Sequence, residues 1–267
     1  MVQIIAHRGA RSLAPENTLK AARIAYETGA DLWETDVAMT RDGHLILFHD
    51  DTLTRCTDAQ QKFPLKASFR VEDFDLKEIR TLDAGSYFVE TDPFGQISEG
   101  HVGREAQASF IGETIPLLEE GLTLTLEKNW TINLELKFFE GAAKDFHLPD
   151  HTLEIIRRAH IPLNRVIISS FHHPWLLRIM EKEPQLEVQA LVGDNDTDPL
   201  DFKDFFFSTY NANAVLIHPD QILALKDRGK RINLFTVNDS REFSRFSGLG
   251  VDGIFTDFPQ RFTKKNQ

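Results

Sequence analysis

The stretch Ile4-Ile5-Ala6-His7-Arg8-Gly9, then Pro15-Glu16-Asn17-Thr18, then Leu32-Trp33-Glu34-Thr35-Asp36-Val37 carries the unit from which the fold is read. A short apolar run leads into a polar turn, a helical pattern closed by Gly29, and a second apolar run. Glycine just past the last helical residue is a common stop signal. The unit then recurs. Runs rich in β-branched residues predict strands at residues 4–6, 32–37, 132–137, 166–170, 188–192, 214–217, 233–237 and 253–256. Helix signals lie between them, such as Thr114 as a cap before Ile115-Pro116. Alternating strands and helices make a parallel sheet, and eight units close into a barrel. The expected fold is α/β, a TIM (β/α)8 barrel.

One run falls outside that count. Leu45-Ile46-Leu47-Phe48 follows Val37 too closely for a parallel crossover, which needs about a dozen residues. Asp42-Gly43 is a hairpin turn signal, so this run folds back on the second strand, in a register that sets His49 opposite Asp36. From about residue 51 to 112 the barrel pattern stops. A helix is predicted over residues 72–82, then a Gly-, Ser- and charge-rich loop at 93–108. So long a structureless loop would be unusual, and a small inserted subdomain over the barrel mouth is expected. The whole chain, 1–267, reads as one domain with that insertion.

Composition narrows the function. A chain of 267 residues suits a single barrel, which commonly runs to about 250 residues. A net charge of −11 argues against nucleic-acid and anionic-membrane partners. It also means that an anionic substrate needs a bound cation and local Arg or Lys to reverse the potential. Cys56 is the single cysteine, so no intramolecular disulfide forms and a reducing compartment is favoured. The first apolar segment lacks the basic leader and apolar core of a secretory signal, and no apolar run approaches the roughly 18 residues of a membrane span. The expectation is a cytoplasmic protein without stable membrane insertion.

Barrel enzymes place their sites at the C-terminal ends of the strands. His7 and Arg8 end the first strand; Glu34 and Asp36 lie two apart on the second; Glu135 and Lys137 repeat that spacing on the third. Residues two apart on a strand face the same way, so three motifs converge on one rim. Glu34, Asp36 and Glu135 offer only oxygen ligands, which suit a hard divalent cation, Ca²⁺ or Mg²⁺, over zinc. Any one of them alone would read as a solvated or paired carboxylate, but charge inside apolar strands is costly without a partner. His7 and His49 suit proton transfer near neutral pH, and Arg8 offers a planar fork for phosphate oxygens. Lys137 could simply pair with Glu135, though a second phosphate contact is the better reading at a barrel mouth. Glu16 is expected to orient Arg8 or His7, with Asn17 or Thr18 capping the first helix. Asn238, His172, His173 and Trp175 follow barrel strands at the same rim and are candidates for substrate contact. Phe205-Phe206-Phe207 is expected to pack a helix on the barrel, and Phe74 and Phe88 to shape a substrate pocket. His44, His101, His147, His151 and His160 are assigned to loops or surface.

Taken together, the chain resembles the glycerophosphodiester phosphodiesterase family over nearly its whole length. The likeness rests on His7-Arg8-Gly9, Pro15-Glu16-Asn17-Thr18, Glu34-Thr35-Asp36-Val37, His49-Asp50, Ile115-Pro116-Leu117-Leu118-Glu119-Glu120, Glu135-Leu136-Lys137, Ser169-Ser170-Phe171, Thr236-Val237-Asn238 and Asp252-Gly253-Ile254-Phe255-Thr256-Asp257, in that order. The resemblance implies a phospholipase-C-like TIM barrel with an insertion after the second strand. It implies one divalent cation on Glu34, Asp36 and Glu135, His7 and His49 as acid and base, and Arg8 and Lys137 on phosphate; Glu16 and Asn238, by their places near the rim, are counted with the phosphate or substrate contacts. Trp33 and Phe235 depart from the expected pattern, which bears on pocket shape. The implied activity is metal-dependent hydrolysis of a small glycerophosphodiester to sn-glycerol 3-phosphate and an alcohol. A lysophospholipase D acting on single-chain lipids keeps the same chemistry. Sphingomyelinase-D-like enzymes use disulfides that one cysteine cannot supply. A non-catalytic phosphodiester- or metal-binding module would have no need of paired histidines. A cyclic phosphate intermediate, formed by attack of the neighbouring hydroxyl, and direct attack by water are both open routes.

Overall fold

A computed structural model describes residues 2–139, 147–194 and 200–263. Among the described residues nine strands appear in chain order: β1 Gln3–Ala6, β2 Leu32–Met39, β3 Leu45–Leu47, β4 Ile132–Leu136, β5 Val166–Ser170, β6 Glu187–Val192, β7 Thr209–Asn213, β8 Arg231–Phe235 and β9 Gly253–Thr256. Eight of them are parallel and close into a barrel, with β1 paired on one side with β2 and on the other with β9. β3 stands outside the ring, antiparallel to β2.

The outward faces of the strands carry the main apolar core. Trp33 on β2 is fully buried, stacks on Trp130 with ring centroids 6.3 Å apart, and donates from Nε1 to the Thr125 hydroxyl at 3.0 Å. Trp33 therefore belongs to the shell of the barrel and has no part in pocket shape. The helix Leu19–Thr28 starts on the Thr18 side chain, which accepts from the Ala21 amide, and stops at Gly29 with φ +91°. Gly9 lets the loop after β1 meet this helix: it has φ +78°, and a Cβ there would lie 2.7 Å from that of Ala21. Only glycine fits both conditions.

The inward faces are unusually polar. Asn133, Ser169, Gln189, Asn211 and Asn233 are all buried there. The Ser169 hydroxyl donates to Asn133 Oδ1 at 2.7 Å, and Asn233 Nδ2 donates to Asn211 Oδ1 at 2.9 Å and to Gln189 Oε1 at 3.3 Å. This floor explains the main misreading of the strands. The sixth barrel strand, β7, is Thr209–Asn213, not the apolar run 214–217; that run forms the turn beyond it, with Val215 75% exposed. Asparagines at inward positions hid the real strand from a search for apolar residues. β8 likewise begins and ends two residues earlier than the expected 233–237.

Several local expectations are corrected. The β2–β3 loop contains three residues, Arg41 to Gly43, because the Thr40 amide pairs with the His44 carbonyl and Gly43 takes φ +83°. The register shifts by one: Phe48, not His49, stands opposite Asp36 and donates its amide to the Asp36 carbonyl at 3.0 Å. His49 leaves the pairing free to turn to the barrel mouth. The segment 72–82 is not one helix, since a 3₁₀ turn Val71–Asp73 is cut from the turn Leu76–Ile79 by a capping box between Asp75 and Glu78. Thr114 caps nothing: Pro116 pairs with the β3 residue Leu47, and the helix starts at Leu118. Phe205 to Phe207 form no helix; Phe206 is 54% exposed, while Phe207 packs edge-on against His173 and Tyr210.

The insertion folds on two small apolar clusters of its own. One joins Leu53, Cys56, Phe74, Ile79 and Leu82 to Ile46 and Phe48 of the hairpin; the other joins Phe88, Val102 and Phe110 to Ala14 and Ala21. Phe74 and Phe88 are fully buried in these clusters and do not shape a substrate pocket. Among the described residues, no helix is long and apolar enough to cross a membrane.

Candidate active site

At the C-terminal rim of the barrel lies a cavity of about 170 Å³, lined by His7, Arg8, Glu34, His49, Glu135 and Lys137 on one side and by Phe171, Leu191, Phe235 and Phe255 on the other. Six of the residues expected to carry chemistry thus meet in one place.

Glu34, Asp36 and Glu135 each present a carboxylate oxygen, and the three oxygens lie within 4.8 Å of one another. Parallel pairing puts them there, with Asp36 in register with Glu135 and Glu34 one step below. Glu34 and Asp36 are 1% exposed. Glu34 Oε2 accepts from the Arg8 amide at 2.9 Å, but Glu34 Oε1 and Asp36 Oδ1 are buried without a hydrogen-bond donor. Burial, and then the charges of Asp36 and Glu135, hold the Glu34 carboxyl well above its usual range. For Asp36, burial is outweighed by His49, Arg8 and Lys137, and its carboxyl stays ionised. Orphaned, crowded carboxylate oxygens are what a divalent cation satisfies. The donor set fits such an ion.

His7 follows β1, and its Nδ1 lies 2.7 Å from Asp257 Oδ1, just past β9. Asp257 is held at about 2: burial would raise it, but the His7 hydrogen bond and charge and Arg11 prevail. An ionised carboxylate only accepts, so Nδ1 of His7 carries the proton and Nε2 is its bare nitrogen in the neutral ring. Burial, then Arg8, lowers the His7 pKa below 6.5, with Asp257 opposing. Both effects favour the neutral ring. His49 has the same arrangement in a different setting. Its Nδ1 lies 2.6 Å from Asp50 Oδ1, and Asp50 is also held at about 2, where hydrogen bonds from His49 and Arg55 outweigh burial.

Arg8 takes φ +55°, a region non-glycine residues seldom occupy. That turn aims its amide at Glu34 and its side chain at Asp36, with Nε 3.2 Å from Asp36 Oδ2, and at Glu16, with Nη1 at 2.8 Å. Lys137 is ion-paired to Glu135 at 2.7 Å and lies 3.7 Å from Asp36. Asn17 is more than a helix-start residue. Its Nδ2 donates to Asp36 at 2.9 Å, while its Oδ1 accepts from the Thr35 hydroxyl and the Asp36 amide.

Five candidates for substrate contact lie off the cavity. Glu16 does not face the cavity, since its oxygens are taken by Arg8, Arg11 and Arg55; a carboxylate open to the cavity would repel phosphate. Asn238 also stands behind the cavity, donating to Asp257 at 2.7 Å and accepting from its amide at 2.9 Å. His172, His173 and Trp175 lie off the cavity wall: His172 stacks on Phe138, His173 Nε2 contacts the Leu191 carbonyl, and Trp175 is buried. The residues that sequence reasoning passed over are Asp257, Asp50, Arg11 and Arg55. Asp50 and Asp257 each end a motif at the rim, which was the available signal.

The glycerophosphoryl diester phosphodiesterase family model matches residues 7–261. A glycerophosphodiester phosphodiesterase of Bacillus altitudinis is 33% identical over 274 residues, spanning 99% of this chain and 98% of that protein. One from Caldanaerobacter subterraneus subsp. tengcongensis is 32% identical over 261 residues, spanning 96% and 94%. Among solved structures, a phosphodiesterase of Oleispira antarctica in complex with the product sn-glycerol-3-phosphate superposes with a TM-score of 0.78 at 26% identity, covering 97% of this chain and 94% of that one. From residue 7 to residue 261, barrel, rim and insertion included, the chain belongs to the glycerophosphoryl diester phosphodiesterase family.

Proposed function

We propose that this enzyme hydrolyses glycerophosphodiesters to sn-glycerol 3-phosphate and an alcohol, with a divalent cation, Mg²⁺ or Ca²⁺, on Glu34, Asp36 and Glu135. The observation that carries the reading is the pair of His–Asp dyads beside three carboxylates whose oxygens lie within 4.8 Å, around one cavity. Bound there, the cation supplies Lewis-acid stabilisation of charge on oxygen.

Arg8 and Lys137 are the cationic side chains that line the cavity, and both suit phosphate oxygens. The Lys137 ammonium, paired with Glu135 at 2.7 Å, would be free to meet phosphate where Glu135 holds the cation. His7 takes the proton of the attacking hydroxyl on Nε2; burial and Arg8 keep the ring neutral, and Asp257 accepts from Nδ1–H throughout. His49 gives a proton from Nε2 to the departing alcohol, with Asp50 on its Nδ1. The attacking group is the free hydroxyl next to the ester-bearing carbon. A tethered nucleophile has a large entropic advantage. The resulting cyclic phosphate is opened by water with the two histidines exchanging roles. Phe171, Leu191, Phe235 and Phe255 give the rest of the cavity a largely apolar lining, with Asp194 and Thr236 among them.

The test is turnover of glycerophosphocholine with Mg²⁺, with Ca²⁺ and with excess EDTA. Chelation is expected to abolish activity, and Glu135→Gln to weaken metal affinity, read by calorimetry, while leaving the melting temperature intact. Full turnover in EDTA, with no metal in elemental analysis, contradicts the reading. Preferential turnover of a lysophospholipid would move the substrate class and leave the chemistry in place.

A further inference from the structure

The site holds one buried carboxylate that no step above uses. Glu16 lies in the loop between β1 and the first helix, and its side chain is 6% exposed. Its Oε1 accepts from Arg8 at 2.8 Å and from Arg55 at 2.7 Å; its Oε2 accepts from Arg55 at 3.1 Å and is ion-paired with Arg11 Nη2 at 3.0 Å. The Tyr87 hydroxyl takes its amide at 3.1 Å.

The two outer arginines each reach a second carboxylate. Arg55, from the insertion, donates to Asp50 from Nε at 2.7 Å and from Nη2 at 2.9 Å. Arg11 places Nη1 3.6 Å from Asp257. Asp50 and Asp257 are the carboxylates that hold Nδ1 of His49 and Nδ1 of His7. A path of hydrogen bonds and ion pairs therefore runs His7–Asp257–Arg11–Glu16–Arg55–Asp50–His49, with Arg11 joined by ion pairs at 3.0 and 3.6 Å, and Glu16 is its midpoint.

We propose that Glu16 is a positioning residue: through Arg11 and Arg55 it holds both Asp–His dyads in one frame, so that the two Nε2 atoms keep a fixed spacing across the cavity. A planar guanidinium shared by two carboxylates fixes the angle between them, which a lysine could not do. Two proton transfers to one phosphodiester need that spacing, and small misplacements of catalytic groups cost rate steeply. Arg55 also makes the insertion part of the device, because it enters the frame from outside the barrel.

This inference rests on the histidine roles proposed above, and its test separates the two. Glu16→Gln, Arg11→Gln and Arg55→Gln are prepared with ¹⁵N-labelled histidine in Mg²⁺ buffer. Turnover of glycerophosphocholine and the ring ¹⁵N signals are then recorded. In Glu16→Gln, kcat is expected to fall by about 10- to 100-fold with KM nearly unchanged. Both histidines are expected to lose their single Nδ1–H tautomer signal. Adding Arg55→Gln to Glu16→Gln is expected to cost less than about threefold more, since residues acting through one hub are non-additive. Should Glu16→Gln fail to fold, the arginine variants carry the same test, and each is expected to disturb both rings. Unchanged ring signals in Glu16→Gln, disturbance confined to the nearer histidine in an arginine variant, or fully multiplicative losses would overturn the frame. If instead His7→Ala or His49→Ala keeps full turnover, the catalytic assignment falls while the ring signals still report on the frame.

Discussion

The two histidine stations use the same pair of residues in opposite ways. At the first, His7 is 14% exposed and its partner Asp257 lies 250 positions away, at the other end of the chain. At the second, His49 is 31% exposed and its partner is the next residue. The first dyad exists only because β9 closes against β1, so it is a property of the whole barrel. The second is built by one hairpin and steadied by Arg55 from the insertion. The difference suits the chemistry. Under the roles proposed for the two rings, a base that must stay neutral belongs in the buried station beside Arg8, and an acid exchanging protons with solvent belongs in the more open one.

The largest effects should come from the rings themselves. His7→Ala and His49→Ala are each expected to lower kcat on the order of 10²–10⁴-fold, with the double variant losing far less than the product. Near-wild-type turnover in either single variant returns that histidine to a structural role.

Next come the carboxylates, where the comparison predicts an asymmetry. Asp257→Asn presents an amide to a buried ring with no solvent to rescue its tautomer, and a kcat loss of about 10²-fold is expected. Asp50→Asn leaves His49 exposed enough for water to bond Nδ1, and a loss of about tenfold is expected. Equal losses would show that burial does not set the two stations apart.

The smallest effect is on stability in acid. Asp257 is held at about 2 in the fold against an ordinary 3.8, so the unfolded chain binds its proton first. Its contribution, about 2 kcal/mol, is complete above the ordinary value and is lost as pH falls through about 2. Chemical denaturation between pH 4 and pH 2 is expected to show this slope in wild type and a shallower one in Asp257→Asn. Parallel slopes would mean that the His7 and Arg11 contacts do not hold the carboxyl down.

The same contrast explains what could be read in the sequence. The barrel was legible because most strands carry apolar outward positions, and the cavity was legible where residues of like chemistry sit two apart, as Glu34 and Asp36 do. Legibility failed where side chains face inward and bond one another: Asn211 and Asn213 disguised β7 as a loop. It failed again where a contact depends on closure, since nothing near Asp257 points to His7. Arg55 lies in a segment without periodicity, so only the packed insertion shows that it reaches Asp50. Glu16 was tied to Arg8 from the sequence, but placing it at the substrate ignored the two further arginines that the fold brings to it.

The assignment of base to His7 and acid to His49 is tested most directly by changing the leaving group. Glycerophosphoryl p-nitrophenol departs without needing a proton, whereas glycerophosphocholine must be protonated as it leaves. On the activated substrate His49→Ala is expected to recover most of its lost kcat, while His7→Ala remains as impaired as on the natural diester. Recovery of His7→Ala instead, or equal impairment of both variants on both substrates, would contradict the division of labour between the two stations.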